Sequence, residues 1–221
     1  WNNIDITSNI FSVAGNDVVW NGIRLVAVGE GNHSIIYSYD GIRWIPVENS
    51  LLLFTKAYKI VYANSVFIAL GEGNYNIAFS DDGINWRTSL DSIYSNNIYD
   101  ILWNGNIWLA LIDGNIIYSN NNCETWNLIN NDITNSFKGY QILHNDIYTI
   151  ILGEKNNNNS IIYSLDKGNT WIEKENVFTE NKIQFITWVG DKFVAATNKN
   201  EIFYSYEFNI WEKQNLNIDI Q

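Results

Sequence analysis

Apolar runs of three to five residues recur along the chain, each cut off by a polar turn. Leu25–Val28, Val66–Leu70, Ile107–Leu111, Tyr148–Leu152 and Phe193–Thr197 form one series. A second follows a few residues later at Ile35–Tyr37, Ile77–Phe79, Ile116–Tyr118, Ile161–Tyr163 and Ile202–Tyr204. Each first run is also preceded by a short apolar or aromatic segment, at Val18–Trp20, Ile60–Tyr62, Ile101–Trp103, Ile142–His144 and Phe185–Trp188. Runs this short, bounded by Gly, Asn and Asp, predict strands. Asn21-Gly22 and Asn104-Gly105 supply the positive φ angles of tight hairpin turns between the first and second strands of their units. Ala27, Ala69, Ala110 and Ala195 sit mid-strand, where a neighbouring sheet must come close.

The third strand of every unit runs into the same motif, a Ser, an acidic or amide turn and a Trp. The copies are Ser38-Tyr39-Asp40-Gly41-Ile42-Arg43-Trp44, Ser80-Asp81-Asp82-Gly83-Ile84-Asn85-Trp86, Ser119 to Trp126 with Asn121 at the acidic position, Ser164-Leu165-Asp166-Lys167-Gly168-Asn169-Thr170-Trp171, and Ser205 to Trp211 with Glu207 there. A period of roughly 40 to 45 residues is that of a four-stranded blade, so the repeat predicts an all-β fold, a β-propeller of four-stranded antiparallel blades. One domain spans 1–221, with blades at 16–57, 58–99, 100–140, 141–182 and 183–221. Trp1 precedes Trp20 by nearly the interval that separates Trp86 from Trp103, which marks 1–6 as a further outer strand. That strand either closes a ring of five blades or belongs to a blade upstream in a ring of six or seven.

Ser164 to Trp171 resembles the Asp-box, the bacterial neuraminidase repeat, in full. The first two copies resemble a shortened form, and Trp-Asn-Gly with Ser-x-Asp-Gly-x-x-Trp is similar in style to repeat proteins encoded by viruses and phages. The resemblance implies a turn on the outer rim between third and fourth strands, remote from any active site. Physical reasoning agrees: Asp or Asn accepts hydrogen bonds from its own turn, Gly takes the left-handed position, and Trp packs between sheets. Ser38, Asp40, Trp44, Ser80, Asp82, Trp86, Ser119, Asn121, Trp126, Ser164, Asp166, Trp171, Ser205 and Trp211 are therefore expected to be structural.

A sialidase would need an Arg trio for the substrate carboxylate. The chain holds three Arg, of which Arg43 and Arg87 fall in rim turns, and no Arg-Ile-Pro occurs. No catalytic residue is assigned and the expectation is a non-enzyme; the alternative is a glycan-processing hydrolase with paired carboxylates.

Composition narrows the rest. The net charge of −11 and the scattered basic residues disfavour nucleic acid. No apolar run is long enough to insert in a membrane. Cys123, the single cysteine, replaces the turn Gly of the third copy and reads as a turn residue rather than a nucleophile. His144 stands where other units carry Trp20, Trp103 and Trp188, which predicts a packed strand residue and no metal site. The chain has no Met, as expected of a processed product or a segment of a longer polypeptide.

Antiparallel strands place the loops between second and third strands on the same face as the connections between blades. Glu30, Glu72, Asp113 and Glu154, with Asn198 in the fifth unit, recur on that face as the candidate ligand surface. A divalent cation, a basic group or a glycan would suit it, while the local alternative is that each carboxylate satisfies its own turn. The connections 49–58, 91–99, 130–140 and 176–182 carry Asn, Ser, Tyr and Phe and offer a second binding surface. The expected role is a binding or structural module for a protein or glycan partner, in a virion or other assembly, with no cofactor.

Overall fold

The computed structural model describes residues 10–89, 97–135, 137–156, 158–174 and 182–214. Residues 1–6, with the Trp1 strand, lie outside the described residues, as do parts of the second and fourth connections.

The described chain is all-β and built as a propeller. Its first unit is β1 (Ala14–Trp20), β2 (Leu25–Glu30), β3 (Ile35–Ser38) and β4 (Ile45–Pro46). The second is β5 (Phe54–Ala63), β6 (Val66–Gly73), β7 (Ile77–Ser80) and β8 (Arg87–Thr88), and the third is β9 (Ile98–Trp103), β10 (Trp108–Ile112), β11 (Asn115–Ser119) and β12 (Asn127–Ile129). The fourth is β13 (Phe137–His144), β14 (Thr149–Lys155), β15 (Asn158–Ser164) and β16 (Ile172–Lys174), and the fifth is β17 (Ile183–Trp188), β18 (Phe193–Thr197), β19 (Ile202–Ser205) and β20 (Glu212–Lys213). Every pairing is antiparallel, and a single bridge, Glu30 to Lys56, joins the first two units into one sheet.

The central strands are apolar on both faces because a neighbouring unit covers each one. β6 and β10 are buried from end to end apart from the last two residues of β6. Cores form between units rather than within them. Val26 and Val28 pack with Phe67, Ala69 and Trp86; Ile68 and Leu70 with Trp108 and Trp126; Leu109 and Leu111 with Ile162 and Trp171; Ile150 and Leu152 with Phe193 and Trp211. The Trp that ends a motif thus packs against the preceding unit. On the first unit, Trp44 instead joins Ile10 and Phe11 over Ala27 and Ile36.

The strands run further than the residue pattern predicts. Gly29-Glu30, Gly71-Glu72 and Gly153-Glu154 read as turns, yet they are paired strand residues opposite the start of the innermost strand. A β-bulge near the start of each innermost strand hides this, because the extra residue breaks the period-two alternation. The equivalent bulged residues are Asn16, Tyr58, Tyr99, Tyr140 and Gln184, set between the register shifts of their strands, and β5 carries a further bulge at Thr55. The Gly of each Gly-Glu pair is required by a close approach. A Cβ on Gly153 would lie 2.4 Å from the Phe137 ring and 2.5 Å from the Lys138 carbonyl, and one on Gly71 would meet Phe54 and the Lys56 carbonyl at 2.5 Å.

Candidate functional site

The motif residues tie the turns together. Ser38, Ser80, Ser119 and Ser164 are buried, and each Oγ accepts from the backbone N–H of the left-handed turn residue, Gly41, Gly83, Cys123 or Gly168, at 2.7–3.0 Å. Each hydroxyl donates to the neighbouring Asp40, Asp82, Asn121 or Asp166. Asp40 Oδ1 in turn accepts from Ile42 and Arg43, and Asp82 Oδ1 from Ile84 and Asn85, all at 2.8 Å. Partial desolvation opposes ionisation of Asp82, but the bonds from Asn85, Ile84 and Ser80 prevail and hold its pKa at about 2. The backbone N–H groups of Arg43 and Thr170 depress Asp40 and Asp166 in the same way.

The fifth copy is built differently. Ser205 Oγ has no partner among the described residues, and Phe208 takes the left-handed position with its ring buried against Tyr148, Tyr163 and Phe193. Cys123 is fully buried in the third turn, and burial pushes its thiol pKa up, away from nucleophilic chemistry. His144 is half-buried on β13, with Nδ1 3.1 Å from the Tyr148 carbonyl and the Thr149 hydroxyl.

The opposite face is where successive units hold one another. The bulged residue of one unit reaches the next: Asn16 Nδ2 donates to the Ala57 carbonyl (2.8 Å), Tyr58 Oη to the Ile98 carbonyl (2.8 Å) and Tyr140 Oη to the Ile183 carbonyl (2.6 Å). The following residue makes a second tie. Asp17 Oδ2 accepts from Ile60 N–H, Lys59 meets Asp100, Asp100 Oδ2 accepts from Ile142 N–H, and Gln141 both donates to the Ile186 carbonyl and accepts from its N–H. The predicted acidic series supplies a third. Glu30 pairs with Lys56 of the next unit at 3.9 Å and Glu154 with Lys182, while within the fifth unit the Asn198 side-chain oxygen accepts from Lys182 N–H and the Asn198 N–H donates to the Lys182 carbonyl, both at 2.9 Å. Glu72 stands opposite Lys56 in the strand register, its carbonyl accepting from the Thr55 hydroxyl.

Between the third and fourth units two of these ties are redirected. Tyr99, the bulged residue of β9, does not follow Tyr58 and Tyr140; its hydroxyl donates to Asp113 of its own unit. That bond to a carboxylate, with some desolvation, raises the Tyr99 pKa. The local cause is the β10–β11 connection. Where the first, second and fourth units place Gly-Glu on a strand, the third has Ile112-Asp113 followed by Gly114 at φ +69°, so its carboxylate sits on a tight two-residue turn. Lys138 holds the place of Lys56 and Lys182, but no ion pair reaches its exposed ammonium among the described residues.

A cleft of about 510 Å³ opens there, walled by Tyr99, Asp113 and Gly114 on one side and by Lys138, Gly139, Tyr140 and Glu154 on the other. Burial beside Glu154 pushes Tyr140 up to about 12. Of the acidic series, the structure thus brings Asp113 and Glu154 to one cleft and leaves Glu30, Glu72 and Asn198 at other junctions. No three His, Cys, Asp or Glu side chains converge among the described residues. The Tyr58, Tyr99 and Tyr140 series and its lysines were not picked out by the residue pattern, although exact 41-residue spacing between the tyrosines signals it. A second concavity, at Lys155, Asn159 and Glu173, is internally satisfied: Glu173 takes both Lys155 and Ser160 at 2.8 Å.

The three Arg residues are also accounted for. Arg24 donates to the Asp82 carbonyl and stacks over Tyr39, Arg87 pairs with Asp81 over Phe79, and Arg43 gives its backbone N–H to Asp40. Among the described residues no helix is long and apolar enough to cross a membrane.

No protein-family model and no curated protein matches this chain. Solved structures do. YCF48 bound to D1 peptide is similar over 92% of this chain and 67% of its own, at 15% identity and a TM-score of 0.66. YCF48 from Cyanidioschyzon merolae is similar over 90% and 71%, at 13% identity and 0.64. The GH74 enzyme of Niastella koreensis is similar over 87% and 36%, at 13% identity and 0.65. The chain thus spans between 36% and 71% of the length of these proteins, and at such identities the likeness is one of fold.

Proposed function

We propose that this propeller is a non-catalytic binding module, and that the cleft between its third and fourth units receives an extended segment of a protein partner. The observation that carries this reading is the redirected Tyr99 hydroxyl. At the junctions before and after, the same tyrosine position bonds the next unit across the seam; here it bonds Asp113, and a cleft lies over the junction. The opening joins two phenol rings to charged groups of both signs, the mixed lining that recognition of a peptide requires. A structure similar in fold carries a bound peptide, which supports peptide binding by this architecture without assigning the same peptide or surface.

The Ser-to-Trp motif is read as an Asp-box that fastens each blade at the rim. A viral or phage source for this style of repeat stays with the resemblance. The hydrolase alternative is weaker, because both carboxylates of the cleft are engaged, Asp113 by Tyr99 and Glu154 by Lys182.

The test is a display of capped random decapeptides, with a glycan array alongside, probed with the folded chain. Binding to a peptide subset is expected, lost in Tyr99→Ala and kept in Ile42→Ser, an exposed change on the rim turn. Peptide binding that survives Tyr99→Ala, or capture only by glycans, overturns the reading.

A further inference from the structure

We infer that the cleft selects a carboxylate, the side chain of an Asp or Glu in the bound segment, and that Lys138 is the group that receives it. The inference rests on the proposed peptide-binding role and deepens it.

The protein itself demonstrates the chemistry at two other junctions. Lys56, Lys138 and Lys182 each stand two residues before the bulge of their innermost strand. Lys56 takes the carboxylate of Glu30 and Lys182 that of Glu154, each sent across from the preceding unit. Both glutamates lie on strands, which directs them at the neighbouring lysine. At the third junction the carboxylate is one methylene shorter and sits on a turn, and its oxygen accepts from the Tyr99 hydroxyl. The lysine is kept and its carboxylate is withdrawn.

An ammonium on the wall of a cleft that Tyr99, Asp113, Tyr140 and Glu154 also line thus lacks, among the described residues, the carboxylate partner that its two counterparts have. A Glu from a partner segment fills that place. Its methylenes lie along the exposed Tyr99 side chain while its carboxylate pairs with Lys138. Asp113 stays with Tyr99 and faces the rest of the segment, which disfavours further acidic residues beside the selected one. Selection therefore favours a single carboxylate rather than an acidic run, in keeping with the net charge of −11 on the chain.

The experiment uses the peptides captured in the display, each synthesised with every Glu or Asp replaced in turn by Gln or Asn, and titrated by calorimetry against the chain and two variants. One replacement in each peptide is expected to weaken binding at least tenfold. Lys138→Met should weaken the parent peptide by a similar factor and abolish the difference between parent and amide forms, while Lys138→Arg retains it. Lys138 is exposed and Met preserves its length, so unchanged thermal unfolding confirms that the variant is folded. Equal affinity of parent and amide peptides, or a preference that persists in Lys138→Met, overturns the assignment while leaving peptide binding in place. Failure of every peptide to bind overturns both.

Discussion

Tyr99 and Asp113 share a hydrogen bond inside one unit, at the position where Tyr58 and Tyr140 bridge two. The repeat therefore predicts unequal losses for the same substitution. Tyr140→Phe strands the Ile183 carbonyl at a half-buried seam and should cost about 1–2 kcal/mol. Tyr99→Phe removes a bond made at an exposed site, and denaturant unfolding should show a loss well below that.

Gln141 and Asp100 carry the polar ties of the seam below the bulge. Gln141→Leu leaves both backbone groups of Ile186 without their side-chain partner and is expected to cost about 1–3 kcal/mol. Asp100→Ala does more, because the largely buried carboxylate serves Lys59 and the N–H groups of Ile101 and Ile142 together. A loss of about 3–5 kcal/mol is expected, read as a fall in the denaturant midpoint.

Much of this fold is legible in the residues, for a physical reason. Strand runs, Asn-Gly turns and the Ser-to-Trp motif are local, and each copy meets the same demand to pack against a neighbour. The ties between units were not legible in the same way. Asp17, Lys59, Asp100 and Gln141 occupy one structural position with different chemistry, and Phe185, 53% exposed, continues the series in the fifth unit. Period-two reading also fails at the bulges, which hold the tyrosines of the cleft. The acidic series is legible in the sequence because Glu30, Glu72 and Glu154 repeat in Gly-Glu pairs. That Asp113 behaves differently depends on a two-residue turn and on Tyr99, fourteen positions away.

Acid should unfasten the rim turns. Asp82 has its pKa held at about 2 in the fold, below its ordinary value of 3.8, so the stability it contributes is full above about pH 4. That contribution is lost as pH falls through about 2, with Asp40 and Asp166 depressed in the same direction. The melting temperature of the unaltered chain should therefore drop more between pH 5 and pH 2 than that of Asp82→Asn; equal slopes would remove Asp82 from the acid response.

Cys123 reports on opening of the core between the second and third units. It lies with Val66, Ile68 and Trp126, and burial raises its pKa, so the native thiol should resist iodoacetamide at pH 8. Alkylation should appear across the denaturation transition. Rapid labelling of the native protein would show that the seam opens locally.

The central claim, that the cleft at the junction of the third and fourth units presents a Lys138 ammonium with no carboxylate partner among the described residues, is tested most directly by acylating the lysines and mapping the products by mass spectrometry with and without a captured peptide. The account predicts that Lys138 reacts faster than Lys56 and Lys182 in the free chain and that saturating peptide protects it selectively. Labelling of Lys138 that is slow in the free chain, or unchanged by bound peptide, would contradict it.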